Sequence, residues 1–361
     1  MKKSLFKVTA FSIIAVLVVA LSVTAFALTA PAGNVNTVSD SVSYAETKNN
    51  NPYIVYNTTG LMRSAHRAGG VQDPENTMKA IKTCLNSVNE GYDVDVLEFD
   101  LHLTKDNQLI LLHDENFDRT TNSVEMWGKE GVLPREKTLA EIREDLNFGY
   151  WFPYERGAAD IIEEKRVYKD LNSLPADVNQ NDLRVVTLEE VILAAENAGK
   201  QYHYIIEIKD KGSVGKYAAE QLCALMAKYN MFDKVVVGTF NGDISDYFDY
   251  LNANVHNGKI NRSAGILEVL KIFLSYLMNR DLGEVKYNVL QIPYMSWFPF
   301  LGNKSFIDYA HKYGIACQFW TINEADQMET LIKNGADCIM SDNAKLLYEV
   351  AGRVKYEKAS A

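Results

Sequence analysis

In Val96-Leu97-Glu98-Phe99-Asp100-Leu101-His102-Leu103, apolar and polar residues alternate without a break. Strand side chains point alternately to two faces, so Glu98, Asp100 and His102 share one face while Leu97, Phe99, Leu101 and Leu103 share the other. Two carboxylates ~5 Å apart repel by about 3 kcal/mol at an effective dielectric near 20, so either one is protonated or a cation lies between them. A second acidic strand, Tyr204-Ile205-Ile206-Glu207-Ile208-Lys209, puts Glu207 and Lys209 on one face. Three carboxylates at strand ends, with no Cys nearby, describe a site for one hard divalent cation, Mg2+ or Ca2+. Competing with that expectation, Glu207 and Lys209 also fit a plain outward ion pair.

Two further strand ends carry imidazoles, in Ala65-His66-Arg67 and Leu112-His113-Asp114. Imidazole exchanges protons near neutral pH, and two of them flanking a cation suit acid and base roles in one reaction. Taken singly, each also fits a hydrogen-bonded core residue. His203, His256 and His311 are expected at the surface.

Such residues need elements to hold them at strand ends. Strand-like runs are Leu61–Arg67, Val96–Leu103, Leu109–His113, Tyr204–Lys209, Val235–Phe240, Ser263–Leu267, Val289–Tyr294, Ala316–Ile322 and Cys338–Ser341. Helical patterns lie between many of them, and Thr187-Leu188-Glu189-Glu190 reads as a capping box. This alternation predicts an α/β chain folded as a (β/α)8 TIM barrel rather than an open sheet. Leu109–His113 follows the turn at Asp106-Asn107 and is expected to extend the second strand. Residues 115–184 break the alternation and are expected as an insertion, the barrel itself covering 61–350.

The 361-residue chain has 37 Lys and Arg against 47 Asp and Glu, a net charge of −10. Beyond residue 30 the balance is 34 against 47, or −13, which excludes broad binding to nucleic acid phosphates. Residues 1–30 form a signal peptide or membrane anchor by pattern, with Lys2, Lys3 and Lys7 ahead of 23 residues, Val8 to Ala30, that carry no charge. Either form exports everything beyond it, leaving the domain secreted or anchored at the cell membrane, and residues 31–60 read as linker. Cys84, Cys223, Cys317 and Cys338 fall in apolar-periodic stretches and are expected as free core thiols, a Cys317–Cys338 bridge being the alternative.

Several motifs resemble the glycerophosphodiester phosphodiesterases. They are His66-Arg67, Pro74-Glu75-Asn76-Thr77, Glu98-x-Asp100 leading to Thr104-Lys105-Asp106, His113-Asp114, Arg119-Thr120-Thr121, Glu207-Ile208-Lys209, Phe319-Trp320-Thr321 and Gly335-Ala336-Asp337 through Ser341-Asp342. Ala68 stands where that family most often has Gly. The resemblance implies a TIM barrel of the phosphatidylinositol phospholipase C type with a small insertion. It also implies one divalent cation, Ca2+ or Mg2+, on Glu98, Asp100 and Glu207. By the same resemblance Arg67 and Lys209 would meet the phosphate, His66 and His113 would be the acid and base, and Trp320 would line the pocket. Asn76 and Thr77 are expected to cap the first helix.

The implied substrate is a small glycerophosphodiester, or a lysolipid if the enzyme acts as a lysophospholipase D. A non-catalytic surface binding protein is the reading from another class. The loop Tyr294-Met295-Ser296-Trp297-Phe298-Pro299-Phe300-Leu301-Gly302 is unusually apolar, so it is expected either to shape an apolar leaving-group pocket or to contact membrane through Trp297, Phe298 and Phe300, together with the N-terminal segment. The upstream helix bearing Ile266, Leu270, Phe273, Leu277 and Met278 is expected to face the core.

Overall fold

Short runs of Val, Ile, Leu and Phe bounded by polar turns form strands when both faces are covered, and the described residues contain nine. They are β1 (Met62–Ala65), β2 (Val96–Leu103), β3 (Leu109–Leu111), β4 (His203–Ile208), β5 (Val235–Gly238), β6 (Asn261–Arg262), β7 (Val289–Pro293), β8 (Ala316–Trp320) and β9 (Cys338–Ser341). The computed structural model describes residues 51–56, 60–153, 166–295 and 297–354. Eight strands pair in the order β6-β5-β4-β2-β1-β9-β8-β7. A parallel bridge from Ser263 to Val289 brings the two ends together, giving the expected (β/α)8 TIM barrel. As anticipated for Leu109–His113, β3 adds no unit to the ring but pairs antiparallel with β2.

Helices cover the barrel: α1 (Met78–Leu85), α2 (Ser123–Trp127), α3 (Leu139–Asp145), α4 (Leu188–Glu196), α5 (Gly212–Lys228), α6 (Gly242–Asn254), α7 (Ile266–Leu277), α8 (Lys304–Lys312), α9 (Ala325–Asn334) and α10 (Ala344–Arg353). The capping box at Thr187 forms, with the Glu190 N–H donating to Thr187 Oγ1 and the Thr187 N–H donating to Glu190 Oε2. Between β3 and α4, α2 and α3 sit over a small core of their own that includes Ile110, Phe117, Ile142 and Phe148.

The predicted leader lies outside the described residues, as does most of the predicted linker. Residues 51–56 pack against the amino-terminal end of the barrel. Tyr53 is only 1% exposed and joins Met62, Val96, Ile205, Val236 and Val289 in the interior. Its hydroxyl donates to the Val235 carbonyl at 3.3 Å, and Asn51 Nδ2 donates to the carbonyls of Asn288 and Gly314.

The four cysteines are free core thiols as expected, while the expectations for His311 and for α7 need revision. Cys317 and Cys338 lie on neighbouring strands but on opposite faces, one in the outer helix-facing core and the other inside the barrel, so all four thiols are free and buried. The His311 side chain is only 8% exposed, pairs through Nε2 with Asp337 at 2.7 Å and stacks on Tyr56. Of the apolar residues of α7, only Ile272 and Phe273 are fully buried.

Candidate active site

Strand β2 delivers the acids as its alternation requires, and parallel pairing with β4 sets Asp100 opposite Glu207. Lys209 Nζ bridges the two, 3.1 Å from Asp100 Oδ1 and 2.9 Å from Glu207 Oε2. The Glu207–Lys209 ion pair therefore exists, but it is turned into the site rather than outward. Glu98 Oε2 accepts the Arg67 backbone N–H at 2.6 Å. His102, on the same face by parity, lies nearer the rim, where its Nδ1 meets Asp210 Oδ1 at 2.7 Å.

Both catalytic-candidate imidazoles are oriented by carboxylates. His66 Nδ1 lies 2.7 Å from Asp342 Oδ1, its Nε2 lies 3.8 Å from Glu98 Oε2, and Asp342 is itself held by Asn323 Nδ2. His113 Nδ1 lies 2.7 Å from Asp114 Oδ1, whose carboxylate also receives the Arg119 guanidinium. An ionised carboxylate only accepts, so each Nδ1 donates and each Nε2 is the nitrogen available for proton transfer.

Arg67 reaches Glu75 at 3.0 Å and lies 3.6 Å from Asp100, so the proposed phosphate fork is anchored by acids. Glu75 bridges Arg67 and Arg119, receiving the latter through both carboxylate oxygens. Asn76 does not cap α1. It adopts φ of 56° and donates to Asp100 Oδ2 at 3.2 Å, leaving Thr77 as the cap. Arg67 and Ala68 also sit in the left-handed region, at φ of 54° and 56°, followed by Gly69 and Gly70 at positive φ. The turn is thus carried by the whole stretch from Arg67 to Gly70, including the Ala that replaces Gly.

Burial, reinforced by Asp100, pushes the Glu98 carboxyl well up, and burial also raises Glu207. Burial acts on Asp100 too, but Lys209 and Arg67 outweigh it and hold that carboxyl ionised. His113 is lowered to about 4 by burial, aided by Arg67 and Lys209, so its imidazole is neutral at pH 7.

Among the described residues no group of three or more His, Cys, Asp or Glu is drawn together as a finished metal cage. The Lys209 ammonium occupies the position between Asp100 and Glu207. The donor chemistry nevertheless fits a hard divalent cation, because Glu98, Asp100 and Glu207 all carry oxygen donors on adjoining strands. Glu75, Glu98, Asp100, Asp114 and Glu207 also outnumber the cations Arg67, Arg119 and Lys209 that face them.

Trp320 ends β8 half-buried, with its ring edge-on to Phe240 at 5.8 Å; Lys209 Nζ lies 5.7 Å from the Phe240 ring centre. Trp320 therefore packs at the rim of the acid cluster. The roles of Asp114, Arg119 and Asp342 were not legible as site chemistry. Asp114 did carry one signal, adjacency to His113, and Asp342 another, its place directly after the last strand.

The chain matches the model of the glycerophosphoryl diester phosphodiesterase family over residues 66–346. It is 27% identical to the glycerophosphodiester phosphodiesterase of Caldanaerobacter subterraneus subsp. tengcongensis, covering 78% of this chain and 94% of that one. It is 24% identical to human lysophospholipase D GDPD1 over 77% of this chain and 82% of that one. In fold it is similar to an Oleispira antarctica phosphodiesterase solved with the product sn-glycerol-3-phosphate. The TM-score is 0.56 and the identity 18%, covering 80% of this chain and 96% of that one.

Proposed function

The chain belongs to the glycerophosphoryl diester phosphodiesterase family, and from that premise we propose that it hydrolyses glycerophosphodiesters to glycerol 3-phosphate and an alcohol. The observation that carries this reading is the pair of Asp-oriented imidazoles at one carboxylate cluster, Asp100 lying within electrostatic reach of both. One unprotonated Nε2 takes the proton of the attacking hydroxyl or water, while the other imidazole, entering the step protonated on both nitrogens, gives its Nε2 proton to the alcohol oxygen as its bond to phosphorus breaks. Arg67, steadied by Glu75, presents a guanidinium to the phosphate. Lys209 balances the acids beneath it, and Trp320 borders the leaving group.

Glu98, Asp100 and Glu207 would hold one Ca2+ or Mg2+, which when bound neutralises charge on the phosphate oxygens. A domain exported by its N-terminal segment is the setting this reading favours. A second reading, cleavage of lysolipid head groups, draws support from the exposed Trp297 and Phe300.

The test is release of glycerol 3-phosphate from glycerophosphocholine, run beside lysolipids with Ca2+, Mg2+ and chelator. Release that stops with chelator and drops at least ~100-fold in His66→Ala and in His113→Ala is expected. Full activity in either variant, or none in the wild type on any diester, overturns the reading.

A further inference from the structure

Helix α7 is apolar around more of its circumference than the barrel covers. Ile272 and Phe273 are buried, with Val269 and Tyr276 packed beside them on the outer core. At 3.6 residues per turn these four span an arc of roughly 100°. Ile266, Leu267, Leu270, Leu274, Leu277 and Met278 fill the adjoining arc of roughly 120°, where Ile266, Leu270 and Leu274 are half-buried and Leu267, Leu277 and Met278 exposed. Leu267 is 75% exposed and Leu277 42%. Phe298 packs on Phe273 at 6.1 Å between ring centres, which brings the loop after β7 alongside. That loop adds Trp297 and Phe300, exposed by 65% and 50%, and it leaves the rim where the Tyr294 N–H donates to the Trp320 carbonyl.

Three observations select the occupant of this face. Trp297 pairs a large apolar body with one N–H donor, the combination that suits the boundary between lipid head groups and acyl chains. Lys271 and Arg280 flank the patch, exposed and without an ion pair among the described residues, on a chain whose net charge is −10. Their stems can lie on the apolar face while their heads meet lipid phosphates. Finally, Val8 to Ala30 carry no charge, and residues 31 to 50 separate them from Asn51. Twenty residues reach about 70 Å when extended, so a chain held in a bilayer by that segment can lay the side of its barrel on the same bilayer.

We propose that the outer face of α7, with Trp297 and Phe300, docks on a lipid bilayer and sets the barrel mouth beside phosphodiesters held at that surface. Only the substrate half of this statement rests on the hydrolytic reading; the docking does not.

The full chain is reconstituted into phosphatidylcholine vesicles carrying brominated acyl chains, and Trp297 is isolated as the emission difference between wild type and Trp297→Phe. Quenching of that difference by half or more is expected, with a return to unquenched emission in Leu267→Glu/Leu277→Glu and in Phe300→Glu. A Trp297 that stays water-exposed and unquenched overturns the proposal. Shielding of Trp297 without vesicles would give the face to a second copy or to the N-terminal segment, and overturns it too. All these variants should hydrolyse soluble glycerophosphocholine at the wild-type rate, which shows them folded. A wild type inactive on that diester defeats the hydrolytic reading while leaving the quenching result intact.

Discussion

An imidazole whose Nδ1 is held by a carboxylate has a fixed tautomer and a fixed aim. Asp342 and Asp114 do this for His66 and His113, at 2.7 Å each. Asp342→Asn and Asp114→Asn are therefore expected to lower kcat by about 10²-fold or more with KM changed only severalfold, as steady-state kinetics on glycerophosphocholine would measure. Unchanged kcat would reduce both to packing residues. At Ala68 competing terms nearly cancel. A left-handed L-residue costs roughly 1–2 kcal/mol, while the Ala68 methyl is buried, worth about 0.8 kcal/mol. Glycine would add a backbone entropy penalty of roughly 0.5–1 kcal/mol. Ala68→Gly is accordingly expected to shift stability by less than about 1 kcal/mol on thermal unfolding.

The shortest barrel strand is β6, two residues long, and a side chain adds to what its short ladder with β5 provides. Arg262 on β6 reaches Asp249 of α6 and Glu268 of α7, both through paired contacts. Burial works against ionisation of Glu268, but Arg262 and the Gly265 N–H overcome it and hold the carboxyl below its ordinary 4.5. A depressed folded-state value means that the contribution is complete above pH 4.5 and is lost as pH falls through the folded-state value. Glu268→Gln should therefore flatten the acid limb of the stability curve below that pH. At pH 7 it should cost about 1–2 kcal/mol, the group being partly solvated. An acid limb identical to wild type would exclude the mechanism. In the same stretch of chain the pattern of α7 predicts a core-facing helix, because periodicity shows that a helix has an apolar side, not how wide a side its neighbours cover.

Over the whole molecule, the acid cluster carries more negative than positive charge, and a divalent cation at one hundred times its Kd would stabilise the fold by about 2.7 kcal/mol. A rise in Tm with Ca2+ or Mg2+, reversed by chelator and absent in Asp100→Asn, is the expected result, and it needs no activity assay. Tyr53 closes the opposite end of the barrel, so Tyr53→Ala should cost about 3–5 kcal/mol. The sequence by itself determined the strand alternation, the acids of β2 and β4 and the imidazoles at strand ends, because face and end are local properties of an extended chain. Only the tertiary structure decided which acid meets which cation: Lys209 between Asp100 and Glu207, Glu75 between two guanidiniums, and Asp342 on His66 across 276 residues. Barrel closure, with β1 beside β9, makes the last of these neighbours, and no spacing in the sequence encodes that closure.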